Sequence, residues 1–473
     1  MTTLEKYSFY SLLILIIWLP IPLGSNRDWA WAIAEIWIAL QSISLIIAYR
    51  GQLPFTLIKH YKYLLCGLAL FQLWVLFQTL PLSWGPLSFL SSKSAEIYQL
   101  VGASEGFISL DSRMTLTSFL KGLTYTLLIF NAIFLINSSK RIKQVVLIIV
   151  ISGTIQAFYA AMMVLLNITE SPVFGFSEKG IATGSFVYKN HLANYLMMTL
   201  CMGIGLIVTH LHTSPSNSRF VFIKRLLEGV LSRKMYIRLC LIIMVIALVM
   251  TRSRMGNTAF FAATTIGGII ALLFYKNKPR ALTALVGSVI AIDTIIVGAW
   301  FGLEKVKQRL VDTSLGAESR DQVVIWSLDI IRDFPWTGTG MGSFYTVFPM
   351  YSQDDIGFYD YAHNDYIQFM VEAGIPATLL LGSIILYSFW RALTVIRTRH
   401  SRTMKGIALG CIMSVIGMLI HISVDFNLQP MANAMTFILI LFLANATAVL
   451  PAIGRLDSQS NEPLHLQSES PHV

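Results

Sequence analysis

Charge is what this sequence has least of. Only 13% of its 473 residues are Asp, Glu, Lys or Arg, while 55% are hydrophobic and the mean hydropathy is +0.65. A soluble domain carries about 25% charge, so a soluble multidomain enzyme and a disordered chain are both excluded. Cysteine is sparse too: Cys66, Cys201, Cys240 and Cys411 all fall in apolar stretches, which excludes an extracellular disulfide framework. No Gly-Lys-Ser/Thr follows the glycine-rich stretch Gly338-Thr-Gly340-Met-Gly342, so a nucleotide-binding loop is rejected. There is no serine-nucleophile elbow, no sequence repeat and no low-complexity tract. His421 and Asp425 stand at ligand spacing. Two ligands do not close a zinc site, so no metal and no cofactor are expected.

Long apolar runs are what the sequence does have. Runs of roughly 15–24 residues cross a hydrocarbon core of about 30 Å, so the fold expected is an all-α, polytopic membrane helix bundle. About twelve spans can be placed, near 8–25, 29–48, 62–80, 119–137, 143–166, 190–209, 237–251, 256–275, 281–300, 376–395, 406–424 and 431–450. The first lacks a small-residue cleavage site and is read as a retained span. The net charge of +10 then reflects topology rather than nucleic acid, which is not expected as a partner. Alternate connections collect Lys59 and Lys62, Lys140 to Lys143, Arg219 to Arg238, Lys276 to Arg280, and Arg391 to Lys405. This basic set marks the cytoplasmic side.

Three outer segments are too long for simple turns: 81–118, 167–189 and 301–375. The division expected is an N-terminal membrane bundle over 1–300, a large outer loop over 301–375, C-terminal spans over 376–450 and a disordered cytoplasmic tail over 451–473. Within the large loop, Ser319–Phe334 places Val324, Leu328 and Ile331 on one helical face, so an amphipathic helix roofing the bundle is expected there.

Polar groups on the outer side of such a protein are costly unless something uses them. Thr251-Arg252-Ser253-Arg254 joins two spans on the side where positive charge is disfavoured. It reads either as helix-end anchoring or as a phosphate site with bidentate guanidiniums. Lys189, Asn190 and His191 lie where an outer loop re-enters the membrane, and Asn190 could equally be a helix N-cap. The glycine-rich turn is expected to bring backbone close to a substrate. Tyr361-Ala-His363-Asn364-Asp365-Tyr366 opens a helix. A charged imidazole there is disfavoured by the helix dipole, and a neutral one can accept a proton. His421 and Asp425 stand one turn apart, as a structural pair or a proton relay.

The order of these motifs resembles the bacterial O-antigen ligase and polysaccharide polymerase superfamily. The series runs Gly184-Ser-Phe, Asn190-His191, Thr251-Arg-Ser-Arg254, Arg320, Trp326, Pro335, Gly338-x-Gly340-x-Gly342, His363-Asn364-Asp-Tyr366 and Asp425-x-Asn427. The resemblance implies a C-type glycosyltransferase fold in the bacterial inner membrane, with its active site facing the periplasm. It implies transfer of a glycan from an undecaprenyl-diphosphate carrier to a lipid A core hydroxyl, metal-independent and with inversion. A polymerase extending carrier-linked glycans is the alternative, and a protein oligosaccharyltransferase or an anion transporter are the further classes. Carried over by position, the catalytic residues are His363, Arg320 and Arg254. Arg252, Lys189, Asn190, His191, Asn364, Tyr366 and Asp425 are the candidates for substrate binding. Which arginine faces diphosphate, Arg252 or Arg254, and which histidine is the base, His363 or His191, stay open. Trp84, Trp326, Trp336 and Tyr345, Tyr351, Tyr359, Tyr361 and Tyr366 would suit sugar stacking.

Overall fold

The computed structural model describes residues 3–175, 180–209, 233–279 and 315–452, with parts of 281–291 between them. The expected ninth span over 281–300, the loop residues 301–314, the basic stretch 210–232 and the tail beyond 452 lie wholly or largely outside the described residues. Among the described residues there is no β-strand, only an isolated bridge between Leu82 and Gly106.

The bundle begins with α1 (Thr3–Trp18), α2 (Asp28–Ala48), a short α3 (Phe55–Lys59) and α4 (Lys62–Phe77). Two short helices, α5 (Trp84–Leu90) and α6 (Ser92–Leu100), fill the first long connection before α7 (Ser112–Leu135) and α8 (Ser139–Leu165). Then come α9 (Lys189–Thr209), α10 (Arg233–Met250), α11 (Arg254–Phe274) and α12 (Leu315–Asp333). The chain closes with α13 (Phe344–Val347), α14 (Asp365–Ala373), α15 (Ile375–Thr398), α16 (Arg402–His421) and α17 (Met431–Val449). Eight of these helices are long and apolar enough to cross a membrane: α2, α7, α8, α9, α11, α15, α16 and α17. Lys62–Phe77 and Met235–Met250 are shorter apolar helices. The protein is therefore a multi-pass membrane protein, with eight candidate spans among the described residues where the sequence reading expects about twelve, and with α1 starting five residues before the run at 8–25. Polar caps set several starts: Ser138, Ser253 and Ser401 each accept a backbone N–H of the first turn.

The centre of the bundle is α9, which is buried along nearly its whole length and packs on α8, α10, α11 and α16. Its crossing with α16 is backbone against backbone. A Cβ on Gly205 would sit 2.6 Å from the Gly406 carbonyl oxygen and 2.9 Å from Gly410 Cα. Small residues allow that approach where apolar burial against lipid gives no net drive for helix association.

The two ends of the bundle differ. At one end, cations are tied to backbone and carboxylate. Arg141 pairs with Glu5 at 3.0 Å, Arg399 caps the end of α17 through the Thr447 and Leu450 carbonyls, and Lys405 donates to the Lys276 carbonyl. At the other end the long connections meet. The buried Gln78 carboxamide donates to the Thr337 and Glu372 carbonyls, and Leu110 N–H donates to Thr339. Here the large loop has its own core of Val323, Trp326, Ile330, Phe334, Phe344 and Phe348. This corrects the face expected for α12. Val323, Trp326, Ile330 and Phe334 point inward, while Leu328 is exposed, because the aromatic pair Trp326 and Phe334 meets Phe344 and Phe348. It also removes the buried Trp326 from the set available to stack on a sugar. The glycine-rich turn is corrected likewise. Gly338 lies at φ 66° with its Cα against the Glu372 backbone, and Gly340 N–H donates to the Glu372 carbonyl at 2.9 Å. These glycines let the turn pack on α14, not on a ligand.

Candidate functional site

Three separate pieces of chain converge at the loop end. The first is Phe186–His191 at the start of α9, the second is the segment Phe358–Asn364 before α14, and the third is Asp425–Asn427 between α16 and α17. Phe426 is their hub. Its ring stacks on Tyr361 at 4.5 Å between centroids and on Tyr188 at 5.6 Å, and it receives the edges of His363 at 4.8 Å and His191 at 4.9 Å. Offset stacks and edge-on contacts of this kind each add about 0.5–1.5 kcal/mol beyond area burial, so the aromatic set fixes the geometry. It borders a cavity of about 390 Å³. Leu23, Asn26 and Arg27 form one wall, Phe186, Tyr188 and His191 another, and Phe358, Tyr361 and His363 a third.

His363 has φ 51°, in the left-handed region that non-glycine residues seldom occupy. Local hydrogen bonds hold it there. Asn364 caps α14 by accepting Tyr366 N–H at 3.0 Å and Ile367 N–H at 3.3 Å, and Ala362 N–H donates to the buried Gln368 carboxamide at 2.7 Å. Asp365 N–H donates to the Ile422 carbonyl, and the Asp365 carboxyl group accepts Leu428 N–H at 2.9 Å and the Gln429 carboxamide at 3.2 Å. Tyr366 donates its hydroxyl to the Leu419 carbonyl. Together these bonds clamp the start of α14 to the α16–α17 connection, which carries Asp425.

Asp425 is almost fully buried, and its Oδ1 lies 3.7 Å from His363 Nδ1. Its Oδ2 accepts from Asn190 Nδ2 and, at 3.5 Å, from the Tyr188 hydroxyl; Oδ1 accepts Phe426 N–H at 3.0 Å. Burial pushes its carboxyl up. The facing His363 and the nearby His191 and His421 outweigh that, and hold it below the ordinary carboxylate value. Asp425 is thus an anion. It faces Nδ1 of His363, which favours the tautomer with the proton on Nδ1 and leaves Nε2 as the acceptor nitrogen.

Burial, first, and the Asp425 charge, second, push the Tyr188 hydroxyl up. The Arg320 charge works the other way. Arg320, exposed on α12, is thus within electrostatic reach of Tyr188 but does not line the cavity. His191 is buried on the cavity wall. His421 is fully buried, its Nδ1 3.2 Å from the Asn194 carboxamide, and it does not line the cavity. Arg252, Arg254 and Lys189 do not line it either; both arginines are exposed at the α10–α11 turn. Among the described residues no three His, Cys, Asp or Glu side chains are grouped to hold a metal ion.

Of the residues expected from the sequence, the structure brings together His363, Asp425, Asn190 and His191, with Arg320 within electrostatic reach of Tyr188. It gives Asn364 and Tyr366 local structural contacts, and leaves Arg252, Arg254 and Lys189 apart. The sequence reading missed Phe426 and Arg27. A signal existed for the second, since Arg27 is an arginine in an outer turn, the same anomaly that singled out Arg252 and Arg254.

Residues 239–382 match the family model described as O-antigen ligase, a match consistent with the O-antigen ligase and polymerase superfamily of glycosyltransferase-like proteins. The matched stretch carries Arg252, Arg254, Arg320 and His363, while Asn190, His191 and Asp425 lie outside it. No curated protein matches the chain.

Proposed function

We propose that this protein transfers a glycan from a polyprenyl-diphosphate carrier to an acceptor hydroxyl at the outer face of the bacterial inner membrane, with the acceptor of an O-antigen ligase, lipid A core. The observation that carries the reading is the His363–Asp425 pair, set in a polar-rimmed aromatic cavity at one end of a membrane bundle whose opposite end is basic. That charge asymmetry supports an outward, periplasmic site. The matched family supports the lipid-linked donor.

The chemistry follows from the geometry. An acceptor hydroxyl in the cavity attacks the anomeric carbon on the face opposite the diphosphate. The carbon–oxygen bond to phosphate breaks, and the hydroxyl proton passes to His363 Nε2, so configuration inverts. Asp425 orients the ring and stabilises the imidazolium as it forms. Diphosphate departs with its charge held by guanidinium groups, Arg320 from α12 and, from the α10–α11 turn outside the cavity, Arg254 or Arg252, in the role a metal ion fills elsewhere. Tyr361, Phe358 and Tyr359 on the cavity wall would meet sugar faces.

The test is a reaction of the purified protein with a polyprenyl-diphosphate oligosaccharide in EDTA, with and without lipid A core. Transfer only when lipid A core is present supports a ligase. Lengthening of carrier-linked chains without it makes the protein a polymerase. No transfer to either acceptor refutes both.

A further inference from the structure

The turn between α1 and α2 belongs to none of the motifs above, yet it walls the cavity. Leu23, Gly24 and Ser25 follow one another with φ of 57°, 66° and 52°. Left-handed backbone costs a non-glycine residue about 1 kcal/mol or more, so three in a row persist only where the surroundings impose them. Here they do. Ser25 is fully buried and its hydroxyl donates to the Leu19 carbonyl at 2.6 Å. Ser185 donates to the Pro20 carbonyl at 2.5 Å, and a Cβ on Gly24 would lie 2.5 Å from the Phe186 ring. The turn is therefore locked to the segment that carries Tyr188 and His191.

What the locked turn presents is Arg27, on the cavity wall shared with His363 and Tyr188. The neighbouring Asp28 lies within electrostatic reach of Lys121 in α7. Of the carboxylates at the cavity, Asp425 is engaged by Asn190 and faces His363, and Asp360 is exposed at the rim. Among the described residues Arg27 forms no ion pair with either. A guanidinium is thus placed on the cavity wall, on the side where positive charge is disfavoured, and Arg320 lies within electrostatic reach of Tyr188 on the same wall.

We propose that Arg27 binds a phosphate group in this cavity, forming with Arg320 a two-guanidinium clamp on the diphosphate of the donor. The proposal rests on the donor being a lipid diphosphate, as inferred above. Planar guanidiniums suit it because each can hold two phosphate oxygens at once. A bilayer phospholipid offers the same phosphate chemistry at the same depth, so the two sources have to be separated.

The full chain, purified in dodecyl maltoside, which carries no phosphate, is titrated with farnesyl diphosphate by calorimetry. Wild type, Arg27→Gln and Arg27→Lys are compared. Losing a charge-assisted hydrogen-bond pair weakens binding by roughly tenfold or more, so Arg27→Gln loses at least that factor and Arg27→Lys recovers part of it. Gel filtration and thermal midpoint stay those of wild type, because the Arg27 side chain is exposed. Equal affinity for wild type and Arg27→Gln overturns the assignment of Arg27 and leaves the donor reading standing. Wild type that does not bind farnesyl diphosphate overturns the donor reading, and the clamp with it. A loss seen in phosphatidylglycerol nanodiscs but not in micelles assigns Arg27 to a lipid headgroup and overturns its place on the donor.

Discussion

Replacing Asp425 by Asn tests the role of the carboxylate behind His363 with almost no change of shape. Oδ1 stands 3.7 Å from Nδ1 in a setting where Asp425 is 1% exposed. At an effective dielectric near 20, unit charges at this separation attract by about 4 kcal/mol. Each 1.36 kcal/mol is a factor of ten in rate, so full imidazolium charge in the transition state sets a ceiling of about 10³-fold. A half-developed charge gives about 30-fold. The carboxamide also turns an N–H toward Nδ1 or toward Asn190, disturbing the tautomer as well as the charge. The account therefore predicts a kcat for glycan transfer about 30- to 1,000-fold below wild type, with donor KM changed much less. The assay is initial-rate transfer by purified protein, with abundance and gel-filtration profile matched to wild type. A variant within threefold of the wild-type kcat refutes the reasoning.

Other consequences concern stability. Burial pushes the Asp365 carboxyl up to about 8, against the hydrogen bonds from Leu428 and Gln429, and that of Glu372 up to about 7. Both acids are then protonated in the fold where the unfolded chain has lost the proton. Their contribution is complete below about pH 4 and is lost as pH rises toward 7–8. The thermal midpoint in micelles should fall over that window, and Asp365→Asn should flatten the slope; an unchanged slope contradicts it. At the opposite end, Glu5→Ala leaves the Arg141 guanidinium buried without its carboxylate. It should destabilise by about 3–5 kcal/mol in denaturant titrations while transfer per folded molecule stays at the wild-type rate. Gly205→Val forces side-chain atoms into the α16 backbone. Loss of monodisperse protein on gel filtration is expected, and a wild-type profile would show that the crossing is looser than described.

How much of this was legible in the sequence depended on range. Apolar runs set the helices, because span length and burial act within a single segment. His363 and Asp425 were visible as polar groups at the outer side, but their pairing was not. Asn190 meets Asp425 across 235 positions, and nothing in either segment encodes that contact. Helices that are apolar on every face carry no stripe to reveal their neighbours, which hid the α9–α16 crossing and the hub at Phe426. In α12 two sets of apolar residues share helical spacing. The set with Trp326 and Phe334 is the one that faces Phe344 and Phe348, a choice made by the partner and not by the helix.

The central claim is that His363 removes the acceptor proton, and a single-turnover comparison addresses it most directly. Wild type and His363→Ala, saturated with the polyprenyl-diphosphate oligosaccharide, are mixed with acceptor and sampled by rapid quench, with donor binding measured on the same preparations. The account predicts that His363→Ala binds donor as wild type does and forms product at least about 100-fold more slowly, the upper part of the range for a positioned base. Product formed by His363→Ala at the wild-type rate would contradict it.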